Sequence, residues 1–259
     1  MPKLLVNNTG IYYEVSGQGE PLLFIHGLAS SSRSWKKQVP AFSERYRVIT
    51  FDIRGHGRSE KRMESYSIEM FASDARELLR ELGADRAHVV GFSMGGMVAF
   101  QLAVDAPELV RSLVAVNCCP EPIRTFNDRM ECVKHLVGTR MIGIRRKRPN
   151  GREQPLPESN QERPHQSVIQ RMAVTNKLAY ANAFSAVMKW GVADRLDTIK
   201  CPTLMLTSDE DFVPVSIKEG YASRMPSAEL VVISNSRHGT PRERTKEFNA
   251  VVLDFVSKH

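Results

Sequence analysis

The sequence predicts an α/β fold: a mostly parallel central sheet flanked by helices, with a helical cap insertion. Three observations predict it. Short apolar runs end in glycine or polar turn residues, as strands buried on both faces do: "PLLFIHG", "RVITFD", "AHVVGF" and "CPTLMLTS". Stretches of helical periodicity separate these runs, an alternation that calls for parallel strands with helices on both faces. The rhythm then breaks from Pro120 to about Arg195, where the chain is polar, arginine-rich and only locally helical. Residues 1–119 and 196–259 are therefore expected to form the core, and residues 120–195 a cap laid on it.

The elements follow in order. "KLLVNNTG" turns into "IYYEVSG" as a strand pair, and "QGEP" turns the chain again into "PLLFIHG". "SWKKQVPAFSERY" reads as a short helix interrupted near Pro40. "RVITFD" is the next buried strand, running into the glycine-rich loop "IRGHGRSE". Ser67 can cap the helix "IEMFASDARELLRELG", with Glu69 in its first turn and Gly83 past its end. "AHVVGF" and "VRSLVAVN" are strands on either side of the helix "MGGMVAFQLAVDAP". After the insertion come the strand "CPTLMLTS", a helix around "SIKEGYASRM", the strand "ELVVIS" and the closing helix "RERTKEFNAVVLDFVSK".

Bulk properties exclude several classes of function. A chain of 259 residues with 42% hydrophobic content can build a substantial core. No apolar run approaches the length of a membrane span, and the start lacks the apolar segment and cleavage site of a signal peptide, so a cytoplasmic protein is expected. Cys118, Cys119, Cys132 and Cys201 form no CxxC pair and no histidine–cysteine cluster. They read as reduced thiols, with no metal and no disulfide staple. The net charge is +7, but its densest block, Arg145 to Arg148, lies among prolines, glycine and polar residues. That composition describes a solvated loop, so no nucleic-acid partner is expected.

The chemistry centres on Gly91-Phe92-Ser93-Met94-Gly95. A G-x-S-x-G sequence between a strand and a helix is the context of a nucleophile elbow. The serine sits in a strained turn that presses neighbouring backbone together, so small residues are needed two positions either side. Its hydroxyl then stands at a helix N-terminus, where the Met94 N–H can point at a developing oxyanion. No lysine follows the glycines and G-x-G-x-x-G is absent, so a phosphate loop does not fit. A serine nucleophile needs a base and an orienting acid. His238 lies just after the last predicted strand, and Asp211 after the strand before it. The chain order Ser93, Asp211, His238 is the order expected of this arrangement.

On these motifs the sequence resembles the α/β-hydrolase superfamily, in its serine esterase, lactonase and haloperoxidase-like group. "FIHG" resembles the oxyanion loop, "DIRGHGRS" the D-x-R-G-x-G-x-S loop, "GFSMGG" the elbow, "SDEDFVP" the acid loop and "SRHGTP" the histidine loop. The resemblance covers nearly the whole chain. It implies that Leu28 donates the second oxyanion N–H and that His26 shapes its loop without being the base. It assigns the acid to Asp211, in the Gly-x-x-Asp slot with Ser208 replacing the glycine; the alternative is that Asp209 takes the role or that both acids contribute. Asp52 and His56 read as loop architecture, and His88 and His135 as packing or surface residues.

The expected function is a serine hydrolase that cleaves a carboxylic ester, lactone or thioester of a small to medium substrate through a Ser93 acyl-enzyme. No cofactor is required. Perhydrolysis uses the same triad. The alternatives are a carbon–carbon bond hydrolase acting on vinylogous diketones and a non-catalytic small-molecule receptor on the same fold. Nine arginines between Arg124 and Arg171 give the expected cap a positive character, which suits an anionic substrate or simply a solvated surface. Met141, Ile142, Met172, Phe184, Met188 and Trp190 would either line an acyl pocket or hold the cap on the core. A homo-oligomer is compatible with the sequence.

Overall fold

The computed structural model describes residues 3–122 and 177–259, which belong to one compact unit, Met1–Pro122 with Asn176–His259. Most of the expected cap, including its nine arginines, Met141, Ile142 and Met172, lies outside the described residues, as do Cys132 and His135.

Among the described residues eight strands form a single sheet. In chain order these are β1 (Lys3–Val6), β2 (Thr9–Ser16), β3 (Glu20–Ile25), β4 (Tyr46–Phe51), β5 (Ala87–Phe92), β6 (Val110–Val116), β7 (Thr203–Ser208) and β8 (Ala228–Ile233). Their spatial order is β1-β2-β4-β3-β5-β6-β7-β8. β1 and β2 pair antiparallel through Asn7 and Asn8, both at positive φ, which asparagine tolerates in a two-residue hairpin turn. β2 pairs antiparallel with β4, and from β4 to β8 every pairing is parallel. Parallel pairing brings the C-terminal ends of β3, β5, β6, β7 and β8 to one edge, where open α/β sheets place their ligands.

The helices cover both faces. α1 (Val39–Phe42) is a single turn with Pro40 inside it, preceded by a 3₁₀ turn at Ser32–Trp35. Proline is tolerated in the first turn, so Pro40 begins the helix rather than interrupting a longer one. α2 (Ile68–Glu81) starts at Ser67, whose hydroxyl accepts the Met70 N–H at 3.1 Å, and ends before Gly83 at φ 64°. α3 (Met94–Asp105) is apolar nearly all round and buried between the sheet and α2. α4 (Lys177–Lys189) leads to Trp190, which is buried in the same apolar cluster and donates its indole N–H to Gln101 of α3 at 2.6 Å. α5 (Val215–Ala222) follows the acid loop. The closing helix is split into α6 (Thr240–Glu243) and α7 (Thr245–Ser257) because Arg244 leaves the helical region. Its guanidinium is tied to the Asn235 carbonyl at 3.1 Å, a tertiary contact that helical periodicity does not reveal.

Two apolar clusters lie on opposite faces of the sheet, one against α2, α3 and α4, the other against Trp35, Phe42 and α7. Strand residues alternate between them: Leu23 and Ile25 join the first, Leu22 and Phe24 the second. The central strands are therefore apolar on both faces, and the sheet edge beyond them is fixed on a rigid base.

Candidate active site

β5 ends at Phe92 and α3 begins at Met94, so Ser93 is the entire connection. Its φ of 56° lies in the left-handed region, uncommon for a residue with a Cβ. The turn is pinned: Ser93 N–H donates to Val116 O at 2.9 Å, and Gly96 N–H returns to Ser93 O at 2.8 Å. The glycines answer to crowding. A Cβ on Gly91 would lie 2.1 Å from Gly95 O, one on Gly95 2.2 Å from Ile25 O, and one on Gly96 2.2 Å from Cys118 Sγ. The strained dihedral belongs to the serine itself.

His238 follows β8 and reaches back across the sheet edge. Its Nε2 is 3.0 Å from Ser93 Oγ and its Nδ1 is 2.8 Å from Asp211 Oδ1. A carboxylate accepts and cannot donate, so Nδ1 carries the proton and Nε2 is left to accept from the serine. The imidazole meets two rings at a tilt, Phe92 at 5.1 Å and Phe212 at 4.3 Å between centroids. Asp209 does not touch His238; it accepts the Asn235 and Ser236 N–H groups at 2.9 and 3.2 Å, joining the acid loop to the histidine loop.

The Asp211 side chain is fully buried and its two oxygens have different partners. Oδ1 accepts from His238 and from the Phe212 N–H at 2.9 Å, while Oδ2 accepts from Lys218 Nζ. Burial alone would raise this carboxyl; the hydrogen bond and charge of His238, then the Lys218 ammonium, outweigh it and hold the group below the usual aspartate range.

The two residues expected to supply oxyanion N–H groups, Met94 and Leu28, lie on different elements. Met94 is the first residue of α3, whose N–H has no helical carbonyl to bond, and Leu28 lies just past β3. His26 fixes that second loop from within: its Nδ1–H donates to Gly27 O at 2.8 Å and its Nε2 accepts from Ile53 N–H at 3.0 Å. Burial holds His26 below the ordinary histidine value, so it stays neutral. Asp52 closes the neighbouring glycine loop, accepting from Ser32 and Arg58 N–H groups, both at 2.7 Å. His56 is buried in that loop with Nδ1 on Arg54 O at 3.1 Å, and His88 is buried against Ser112 and Tyr46.

Two residues of the site carried no recognised motif. Asn117, at φ 46° just past β6, accepts the Ser208 N–H at 3.0 Å on its side-chain oxygen. With its side-chain nitrogen it donates to the His238 carbonyl at 2.8 Å. An asparagine closing a buried strand is the signal that could have found it. Lys218 is buried on α5, and nothing in its sequence context distinguishes it from a surface lysine.

Parallel strands in this order, with a serine at a strand–helix elbow and a histidine after the last strand, define an α/β hydrolase. The chain belongs to that family, whose model for the α/β hydrolase fold matches residues 20–131. It is 30% identical to Est816, an N-acyl homoserine lactone degrading enzyme, with 98% of this chain and 100% of that one covered and a TM-score of 0.77. RutD of Caulobacter sp. (strain K31), provisionally named a carbamate hydrolase, is 29% identical over 266 residues, 96% of each chain. A hydrolase from Pseudomonas aeruginosa PA01 superposes with a TM-score of 0.83 at 25% identity, covering 98% of this chain and 97% of that one. Among the described residues no helix is long and apolar enough to cross a membrane. Likeness of this degree makes the chain a hydrolase of the α/β family.

Proposed function

We propose that the protein hydrolyses a carboxylic ester of a small to medium substrate, lactones included, through an acyl-enzyme on Ser93. The observation that carries this reading is the unbroken line from Asp211 Oδ1 through His238 to Ser93 Oγ, at 2.8 and 3.0 Å. In this scheme Ser93 Oγ attacks the acyl carbon as its proton passes to His238 Nε2. The carbonyl oxygen gains the negative charge and is held by the Met94 and Leu28 N–H groups. The proton then moves from His238 to the departing alkoxide, leaving the acyl group on Ser93. Water enters, gives its proton to His238, attacks the acyl carbon and releases the acid, and Ser93 recovers its proton. Asp211 keeps the imidazole oriented and offsets the positive charge it acquires in each half.

A lactone is an internal ester and needs no different groups, which accords with the activity named for Est816. A carbamate carbonyl, as in the name given to RutD, is open to the same attack. The test is turnover of p-nitrophenyl esters of increasing chain length, of N-acyl homoserine lactones and of a vinylogous diketone, each with wild type and Ser93→Ala. The reading predicts ester or lactone hydrolysis that falls on the order of 10⁴-fold or more in the variant. Equal turnover by both proteins contradicts the acyl-enzyme, and a diketone cleaved in preference to every ester moves the assignment to carbon–carbon hydrolysis.

A further inference from the structure

Lys218 is a charged side chain that the catalytic scheme does not use. Its side chain is 1% exposed, and a buried ammonium is retained in a fold where its partners satisfy it. Those partners are both at the site: Asp211 Oδ2 and Thr207 Oγ1, the latter at the end of β7. Thr207 in turn donates to Asn117 Oδ1 at 3.3 Å, and Asn117 donates to the His238 carbonyl at 2.8 Å. Lys218 therefore reaches His238 by two routes, one through the carboxylate and one through the backbone of the histidine loop.

We propose that Lys218 is a positioning residue of the triad, fixing the Asp211 carboxylate and setting, through it, the pH at which His238 is free to act as base. The proposal rests on the catalytic reading above. Its physics is a charge balance. A desolvated carboxylate with no other partner would bind the imidazolium tightly and keep the base protonated to higher pH. An ammonium on the far oxygen offsets part of that charge and turns the near oxygen toward Nδ1.

Among the described residues, the surrounding groups leave this balance to Lys218. Cys118 and Cys119, just past β6, stay neutral, because burial pushes Cys119 up to about 12 and Cys118 well above the usual thiol range. Tyr221 of α5 also stays neutral, pushed up to about 12 by burial and by Glu121, whose carboxylate its hydroxyl meets at 2.9 Å. Asp209 and Glu243 are turned to backbone N–H groups of the histidine loop, and Arg237 lies beside Glu243. Among the described residues Lys218 is the cation in contact with the acid.

The test is an imidazole titration by NMR with ¹⁵N-histidine protein, the His238 signal being assigned by its loss in His238→Asn. Wild type, Lys218→Gln, Lys218→Met and Lys218→Arg are compared, alongside the acidic limb of kcat/KM on the best ester found. The proposal predicts that the His238 midpoint and the kinetic limb both move up by about half a pH unit or more in the Gln and Met variants. Lys218→Arg, which keeps the charge, returns both toward wild type. Midpoints do not depend on the fraction of protein that folds, so a weakly stable variant still reports. Unchanged midpoints in folded Gln or Met variants, with lowered thermal stability alone, would overturn the proposal and leave Lys218 a structural ion pair. A moved NMR midpoint in a protein that turns over no ester would overturn the hydrolytic reading and leave the charge balance standing.

Discussion

The acid is the residue on which two neighbouring carboxylates compete, and their hydrogen bonds separate them. Asp211 faces the histidine ring from a fully buried position, whereas Asp209 spends both oxygens on backbone N–H groups. Asp211→Asn should lower kcat by about 10²- to 10⁴-fold, since an amide can present its N–H to Nδ1 and enforce the wrong tautomer. Asp209→Asn should leave kcat nearly unchanged. Steady-state kinetics of the two variants on one ester checks both expectations, and a reversed order would make Asp209 the functional acid. The serine, the histidine and this pair of acids were legible in the sequence because each lies directly after an apolar strand run. Lys218 and Asn117 were not. Their roles depend on which buried groups surround them, and that is set by the packing of α5 and the end of β6 rather than by local pattern.

Elements were legible wherever periodicity and caps agree. α2 shows this in one helix: Ser67 caps it, its apolar face is buried and Gly83 ends it at positive φ. Ser67→Ala should cost about 1 kcal/mol in urea unfolding and leave kcat unchanged, because α2 supplies no group to the site. The elbow behaves in the opposite way. Gly95→Ala places a methyl group 2.2 Å from Ile25 O, a clash with backbone that side-chain motion cannot relieve. It should lose about 1–3 kcal/mol or more and most activity together, since relief must shift β3 or α3 and with them Leu28 and Met94. Normal activity in a stable Gly95→Ala protein would contradict this account of the elbow. Where periodicity misled, at Pro40 and at Arg244, the cause was a proline position and a tertiary hydrogen bond.

At the scale of the molecule, the loops after β3 and β4 are locked by two buried imidazoles, His26 and His56, with ring centroids 5.3 Å apart. Burial, and then repulsion from His26 once that ring too is protonated in acid, holds His56 down at about 3, while burial holds His26 below its ordinary value. The unfolded chain therefore binds protons that the folded one does not. Their contribution to stability is complete above about pH 6.5 and is lost progressively as pH falls toward those lower values. The depressed Asp211 and Asp52 add to the loss once pH falls below the ordinary aspartate range. Tm should fall steadily from pH 7 to pH 5, before the carboxylates titrate, and a flat Tm over that range would contradict it. The doubly covered parallel sheet was legible in the chain's apolar runs. Substrate choice was not, since no motif in the chain encodes it.

The central claim is that Ser93 is an activated acyl nucleophile. It is tested most directly by treating the protein with a fluorophosphonate at neutral pH and mapping the adduct by mass spectrometry. The account predicts one covalent adduct, on the peptide containing Ser93, absent from Ser93→Ala and formed far more slowly in His238→Ala. No adduct in the folded wild-type protein, or an adduct on a different residue, would contradict it.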